Sequence, residues 1–159
     1  MARALKPICA RYGVPLILND AVELAKEVDA DGVHVGQDDM SVARARAILG
    51  PDKIIGASAH NVAEAVAAYQ AGADYLGCGA VFGSATKTDA SHLPEGELAR
   101  VCAATPLPVV GIGGITEENL PRLAGSGVAG VALVSALFAP ADKPAAVARL
   151  LAALEKTLG

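Results

Sequence analysis

Short apolar runs separated by amphipathic stretches set the pattern of this chain. Pro15 to Leu18, Gly32 to Val35, Ile54 to Ser58, Tyr75 to Cys78, Pro108 to Ile112 and Gly130 to Val134 are each too short for a buried helix and are predominantly apolar rather than alternating. Each is predicted to be a strand buried on both faces. The stretches between them carry helical spacing. Residues 2–12 put Ala4, Leu5, Ile8 and Cys9 on one side, with Gly13 as the stop. Ala21 to Val28 is a short helix. Ser41 caps Val42 to Leu49, which Gly50-Pro51 ends, and Asn61 caps a helix to Ala71 with a stripe of Val62, Ala65, Val66 and Tyr69. Further helices are expected from about Glu95 to Ala104, from Thr116 to Gly125, and from about Lys143 to Leu158. A strand followed by a helix, repeated in this way, predicts a parallel sheet. A weak echo supports repetition: Ala30-Asp31-Gly32-Val33, Ala73-Asp74-Tyr75-Leu76 and Val128-Ala129-Gly130-Val131 each lead from a helix end into a strand.

Composition narrows the class. A length of 159 residues suits one domain, taken as 1–159. The chain is 53% hydrophobic, yet no apolar run approaches the length of a membrane span, and the start lacks the apolar core of a signal peptide. A net charge of −4 argues against nucleic-acid or anionic-membrane partners. The three cysteines, Cys9, Cys78 and Cys102, fit neither a zinc spacing nor a disulfide framework, so a cytoplasmic location is expected.

Candidate chemistry gathers where the strands end. Asn19-Asp20, Gln37 to Asp39, Ser58 to His60, Thr86-Lys87-Thr88, Gly113-Gly114 and Ser135 all follow or close strands. A (β/α) barrel carries its chemistry on that rim, whereas an open doubly wound sheet uses only its switch point. Decoration of every strand end favours a barrel. Gly113-Gly114 followed by Thr116, Glu117 and Glu118 reads in two ways: as a phosphate cup at a helix N-terminus, or as a tight strand-to-helix turn without a ligand. Taken singly, an Asp after a strand, such as Asp20 or Asp39, is more often only a helix cap. His34 reads as a satisfied core histidine, His60 as a residue that caps or orients its loop, with a general base as the lesser alternative, and His92 as solvated. Cys78 reads as a small core residue, and Glu117 and Glu118 as compensators of a helix dipole.

Taken in order, Asn19-Asp20, Gly36-Gln37-Asp38-Asp39, Gly56-Ala57-Ser58-Ala59-His60, Thr86-Lys87-Thr88-Asp89, Gly111 to Ile115 and Val134-Ser135 resemble the thiamine phosphate synthase family. No one motif is specific; the ordered set is, and it spans about Gly13 to Phe138. The resemblance implies a TIM-type (β/α) barrel and a transferase that joins hydroxymethylpyrimidine diphosphate to thiazole phosphate. Pyrophosphate would leave with the help of Mg²⁺. It implies Asp20 and Asp39 as metal carboxylates and Asn19, Ser58 and Lys87 as diphosphate contacts, Ser58 and Lys87 acting in catalysis. Thr86 would face the thiazole, and Gly113, Gly114, Val134 and Ser135 would hold its phosphate. The related tautomerases share the barrel but lack the Gln-(Asp/Glu)-Asp and Thr-Lys-Thr-Asp motifs.

Departures from the pattern carry expectations too. Ala21 stands where the family has Arg, and Ala80, Gly83 and Ala85 replace prolines. Six strands rather than eight implies that the first two βα units are missing, including the strand whose Gln and Arg hold the diphosphate. Leu16 to Asn19 then corresponds to the third barrel strand. Three readings follow: an active synthase, open or completed by another chain; an inactive truncated barrel or tautomerase-like relative that still binds a phosphate; and an assembly in which the open strand edges pair between chains or helix 2–12 closes the gap.

Overall fold

The structure, a computed structural model, describes residues 1–83 and 92–159. Six strands form one parallel sheet in the sequential order β1 (Ile17–Asn19), β2 (Gly32–Val35), β3 (Ile54–Ala59), β4 (Tyr75–Cys78), β5 (Val109–Ile112) and β6 (Gly130–Ala132). Sequential order in a parallel sheet is the order of a barrel, and six strands make an open, partial one, as the strand count predicted.

The connecting helices form where capping and pattern put them. Helix α1 spans Ala2–Arg11, α2 Val22–Glu27, α3 Val42–Leu49, α4 Val62–Gln70, α5 Glu97–Ala104, α6 Ser135–Phe138 and α7 Lys143–Leu158. The Ser41 hydroxyl accepts from Arg44 N at 3.3 Å, and Asn61 Oδ1 accepts from Glu64 N at 2.9 Å. Both are the expected caps.

One face of the sheet is sealed under the helices. Val33, Val35, Ile55, Ala57, Ala59, Leu76, Cys78 and Val109 are buried, and α2 to α5 pack on β1, β2, β3 and β5. The opposite parity belongs to the barrel interior. His34, Gly56 and Tyr75 lie in one register row, and Ser58 and Gly77 in the next.

The echo seen in the sequence has a structural cause. Asp31 Oδ2 accepts the Leu16 amide at 2.7 Å, and Asp74 Oδ2 accepts the Ile55 amide at 2.7 Å. Each aspartate enters its own strand while satisfying the donor at the foot of the preceding one. The third copy keeps only the backbone part, Ala129 N donating to Val109 O at 2.8 Å. These contacts lie at the end of the sheet opposite the rim, where barrels invest in stability.

Several boundaries and faces differ from the sequence reading. No α-helix directly follows Thr116: residues 117–119 form a turn, and Leu120–Leu123 is a short 3-10 helix. Pro121 lies in its first turn, without an amide to donate, and Gly125 takes a left-handed φ of 74° two residues after the helix ends. Glu117 and Glu118 therefore compensate no α-helix dipole; Glu117 instead accepts from Arg149 Nε at 2.9 Å. The last strand stops at Ala132, and α6 begins at Ser135. On α4, Tyr69 is exposed, and Ala68 takes the buried position beside Ala65. On α1, Ala2, Lys6 and Cys9 face the protein, while Leu5 is 42% and Ile8 53% exposed. Among the described residues β1 is the first strand of the sheet order, and α1 precedes it. Lys6 Nζ donates to Val28 O at 3.2 Å and pairs with Asp29 at 2.6 Å. Helix α1 is thus tied to the end of α2. No helix among the described residues is long and apolar enough to cross a membrane.

Candidate functional site

The β1 and β2 ends build one half of the rim. Parallel pairing of Asn19 with His34 brings Asp20 and the 36–39 turn to the same end of two adjacent strands. Asp20 takes a left-handed φ of 61° while its amide donates to His34 O at 2.8 Å. Left-handed backbone is tolerated by Asp but is seldom kept without cause, and such outliers cluster at functional sites. Asn19 Nδ2 donates to Asp20 Oδ2 at 2.6 Å and orients that carboxylate. In the next turn Asp39 Oδ2 accepts the Gly36 amide at 2.9 Å. A Cβ at position 36 would stand 2.7 Å from that oxygen, so the fold-back needs glycine.

Two exposed carboxylates at neighbouring rim positions offer oxygen donors only. No cluster of three or more His, Cys, Asp or Glu that could hold a metal occurs among the described residues. That donor set suits Mg²⁺, which is typically held by one or two carboxylates plus substrate phosphate and keeps several waters. Zinc sites more often add histidine or cysteine ligands to carboxylates.

Ser58 and its neighbours form the second element. Gln37 Nε2 donates to Ser58 O, lashing the 36–39 turn to the end of β3. Inside the barrel His34 Nε2 lies 3.1 Å from Ser58 Oγ, and His34 Nδ1 lies 3.0 Å from Tyr75 Oη. A Cβ on Gly56 would overlap the Tyr75 ring, and one on Gly77 would stand 3.0 Å from His34 Cε1. Burial pushes the Tyr75 phenol above its ordinary pKa, so it remains a donor at neutral pH. His34 is a satisfied interior histidine, as expected, yet it also links two rim strands. Tyr75 was not singled out in the sequence; Gly56, opposite it in register, was the available signal. His60 orients its loop as predicted. Burial pulls the Glu64 carboxyl upward, but the His60 amide and Nδ1, both 2.8 Å from Glu64 Oε2, and Asn61 Nδ2, donating to Glu64 Oε1 at 2.6 Å, hold it below its usual range.

The third element is the Gly113-Gly114 turn, with φ of 99° and 63°. The missing side chains make room for protein as well. A Cβ on Gly113 would stand 2.7 Å from Ala80, and one on Gly114 would stand 2.6 Å from the carbonyl oxygens of Phe82 and Gly83. Val81 and Phe82 donate their amides to Ile112 O and Gly113 O. Arg122 stacks 4.8 Å above the Phe82 ring and pins this crossing from outside. The side chain of Asn119, also unremarked in the sequence, accepts from Thr116 N and donates to Gly114 O, both at 2.8 Å. With no α-helix following, the helix-dipole part of the phosphate-cup reading does not apply here. Val134 and Ser135 are exposed just beyond β6, which pairs with β5 through Ile112 and Ala132. They and the glycine turn are therefore neighbours on the rim. Thr86 and Lys87 lie outside the described residues.

A parallel (β/α) half-barrel with carboxylates, a serine and glycine turns on one rim belongs to the TIM-barrel class of proteins. The family model for thiamine monophosphate synthase matches residues 1–137, and this chain belongs to that family. It is 47% identical over 138 residues to the thiamine-phosphate synthase of Methanobrevibacter smithii, covering 87% of this chain and 66% of that protein. The thiamine-phosphate synthase of Geobacillus kaustophilus is 49% identical over 151 residues, covering 93% and 68%. Among solved structures, thiamine phosphate pyrophosphorylase from Pyrococcus furiosus superposes with a TM-score of 0.91 at 37% identity, covering 99% of this chain and 76% of that one. The chain thus spans about two thirds of the length of the curated relatives it matches.

Proposed function

We propose that this chain, one partial barrel domain, carries the diphosphate-and-metal rim of a thiamine-phosphate synthase acting in the cytoplasm. The reaction couples hydroxymethylpyrimidine diphosphate to thiazole phosphate and releases pyrophosphate. The observation that carries this reading is the convergence of Asn19, Asp20, the Asp39 turn and Ser58 on the ends of three consecutive strands in a member of this family. Asp20 and Asp39 would hold Mg²⁺, which when bound supplies positive charge against the diphosphate oxygens. Asn19 keeps the Asp20 carboxylate turned to that task. Ser58 donates to a diphosphate oxygen, and Lys87 adds a point charge to the departing group. The glycine turn with Val134 and Ser135 takes the thiazole phosphate, and Thr86 faces its ring. Breaking the C–O bond leaves negative charge on pyrophosphate and a cationic pyrimidine methylene, which the thiazole nitrogen captures. No side-chain nucleophile is needed; alignment and electrostatic stabilisation carry the rate.

Pyrophosphate release from the purified chain with both substrates and Mg²⁺ is the test, and no release counts against catalysis by this chain alone. Asp20→Asn keeps a residue that tolerates the left-handed backbone, and it should lower turnover about 100-fold while leaving the circular dichroism unchanged. A second reading rests on the open sheet: a barrel without two strands that binds phosphate but does not turn over. Calorimetry with thiazole phosphate separates the two, since heat without turnover favours the second.

The open ends also favour self-association. Strands β1 and β6 close the two ends of the sheet order. Beside them stand an exposed apolar stripe on α1 (Met1, Leu5, Ile8, Tyr12) and exposed Phe138, Val147 and Leu151 near the other end of the chain. Contiguous exposed apolar surface of this kind marks contact sites. A homo-oligomer is expected by light scattering, and a monodisperse monomer would contradict it.

A further inference from the structure

We propose that Tyr75 and His34 form a relay that fixes the Ser58 hydroxyl as a hydrogen-bond donor toward an anionic oxygen at the barrel mouth. The proposal rests on the assignment of Ser58 to the diphosphate made above, and it makes Tyr75 and His34 positioning residues.

The geometry admits two neutral arrangements of the chain Tyr75 Oη, His34 Nδ1, His34 Nε2 and Ser58 Oγ, with contacts of 3.0 and 3.1 Å. In the first, the phenol donates to Nδ1, the ring proton sits on Nε2, and Nε2–H donates to Ser58 Oγ. The serine proton is then left for a ligand. In the second, every proton is reversed: Nδ1–H donates to the phenol, and Ser58 spends its proton on Nε2. Ser58 would then meet an incoming phosphate oxygen with lone pairs only.

Tyr75 decides between them. Among the described residues His34 is the hydrogen-bond partner of its hydroxyl. In the second arrangement the half-buried phenolic O–H would have no acceptor there, and leaving a buried donor unmade costs more than the bond itself contributes. The first arrangement satisfies the phenol, both ring nitrogens and a lone pair of Ser58 at once. Gly56 and Gly77 keep the path open. A Cβ on Gly56 would lie 2.5 Å from His34 Nδ1 and inside the Tyr75 ring. Ring centroids 5.4 Å apart at 42° hold the two aromatic groups against one another. The relay therefore crosses three strands, β2, β3 and β4, and converts a half-buried phenol into the donor character of a rim hydroxyl.

Two measurements test this on the chain as it stands. Long-range proton–nitrogen correlation spectra of histidine-labelled protein, with the His34 signal identified by its loss in His34→Gln, should show a neutral ring protonated on Nε2. A neutral ring protonated on Nδ1 overturns the relay. Calorimetric titration with inorganic pyrophosphate and Mg²⁺ then reads the coupling. Ser58→Ala should weaken binding about tenfold and Tyr75→Phe about threefold. The double variant should bind no more weakly than Ser58→Ala. Equal weakening by Tyr75→Phe in both backgrounds would mean a merely structural phenol and would overturn the relay alone. Binding that is unchanged by Ser58→Ala, or absent from the unmodified chain, would instead remove the diphosphate assignment beneath it.

Discussion

The two faces of the sheet obey different rules. The outward face, with Ile55, Leu76, Val33 and Val109 at 0 to 2% exposure, is apolar throughout and sealed by helices. The inward face holds His34, Ser58 and Tyr75 half-buried and leaves Ile112 40% exposed. One face therefore supplies stability, and the other, which no helix of the described residues seals, holds polar groups in fixed register. Burial energy follows the area removed from water, so equal side chains on the two faces are not worth the same.

Truncation measures that inequality most directly. Ile55→Ala should cost about 2–5 kcal/mol in denaturant unfolding, because a fully packed site leaves a cavity. Ile112→Ala, with much of its surface already wet, should cost under about 1 kcal/mol. Equal losses would erase the distinction between the faces. Gly56→Ala asks whether the inward face is open space or a built row. Overlap with Tyr75 and His34 should destabilise by about 1–3 kcal/mol, and a neutral result would mean that the row has slack. Ser41→Ala, at the edge of the helical layer, should lose about 1 kcal/mol by removal of a cap.

The smallest effect concerns charge outside both faces. Hydrogen bonds and ion pairing with Lys53 and then Lys6 hold the Asp29 carboxyl down at about 2, against an ordinary 3.8. A depressed carboxyl stabilises the fold above its unfolded pKa and loses that contribution as pH falls through its folded one. The stability difference between the unmodified chain and Asp29→Asn should therefore be constant above about pH 4 and fade toward pH 2 in acid unfolding curves. A difference that grows on acidification would reverse the assignment.

The helical layer was largely legible because its signals are local. Ser41, Gly50 and Asn61 mark caps and stops within a few residues of the backbone groups they satisfy. Helix α3 and strand β2 fall where the pattern put them. The stretch after Thr116 misled for the same reason. A cap-like Thr and two acidic residues look like a helix start, yet Pro121 and the Asn119 contacts to Gly114 and Thr116 settle it as a turn and a 3-10 helix. The apolar residues of α1 could be grouped on one side but not oriented, since a period of 3.6 says which residues share a side and not which side is covered; Leu5 and Ile8 prove exposed. At the rim, Asp20 and the turn that carries Asp39 were legible as following two adjacent strands. The link from Tyr75 through His34 to Ser58 was not, because its members lie 41 and 24 residues apart.

By itself the sequence determined the alternation of strand and helix, the parallel sense that follows from it, and the family, since each is written in short-range pattern or in ordered motifs. Only the tertiary structure decided which glycines make room for neighbouring backbone and side chains, which face of α1 stays wet, and which hydroxyl a histidine addresses. Those depend on strand register and on approach between distant segments. A one-dimensional pattern carries no distance between residues that meet only when the sheet has formed.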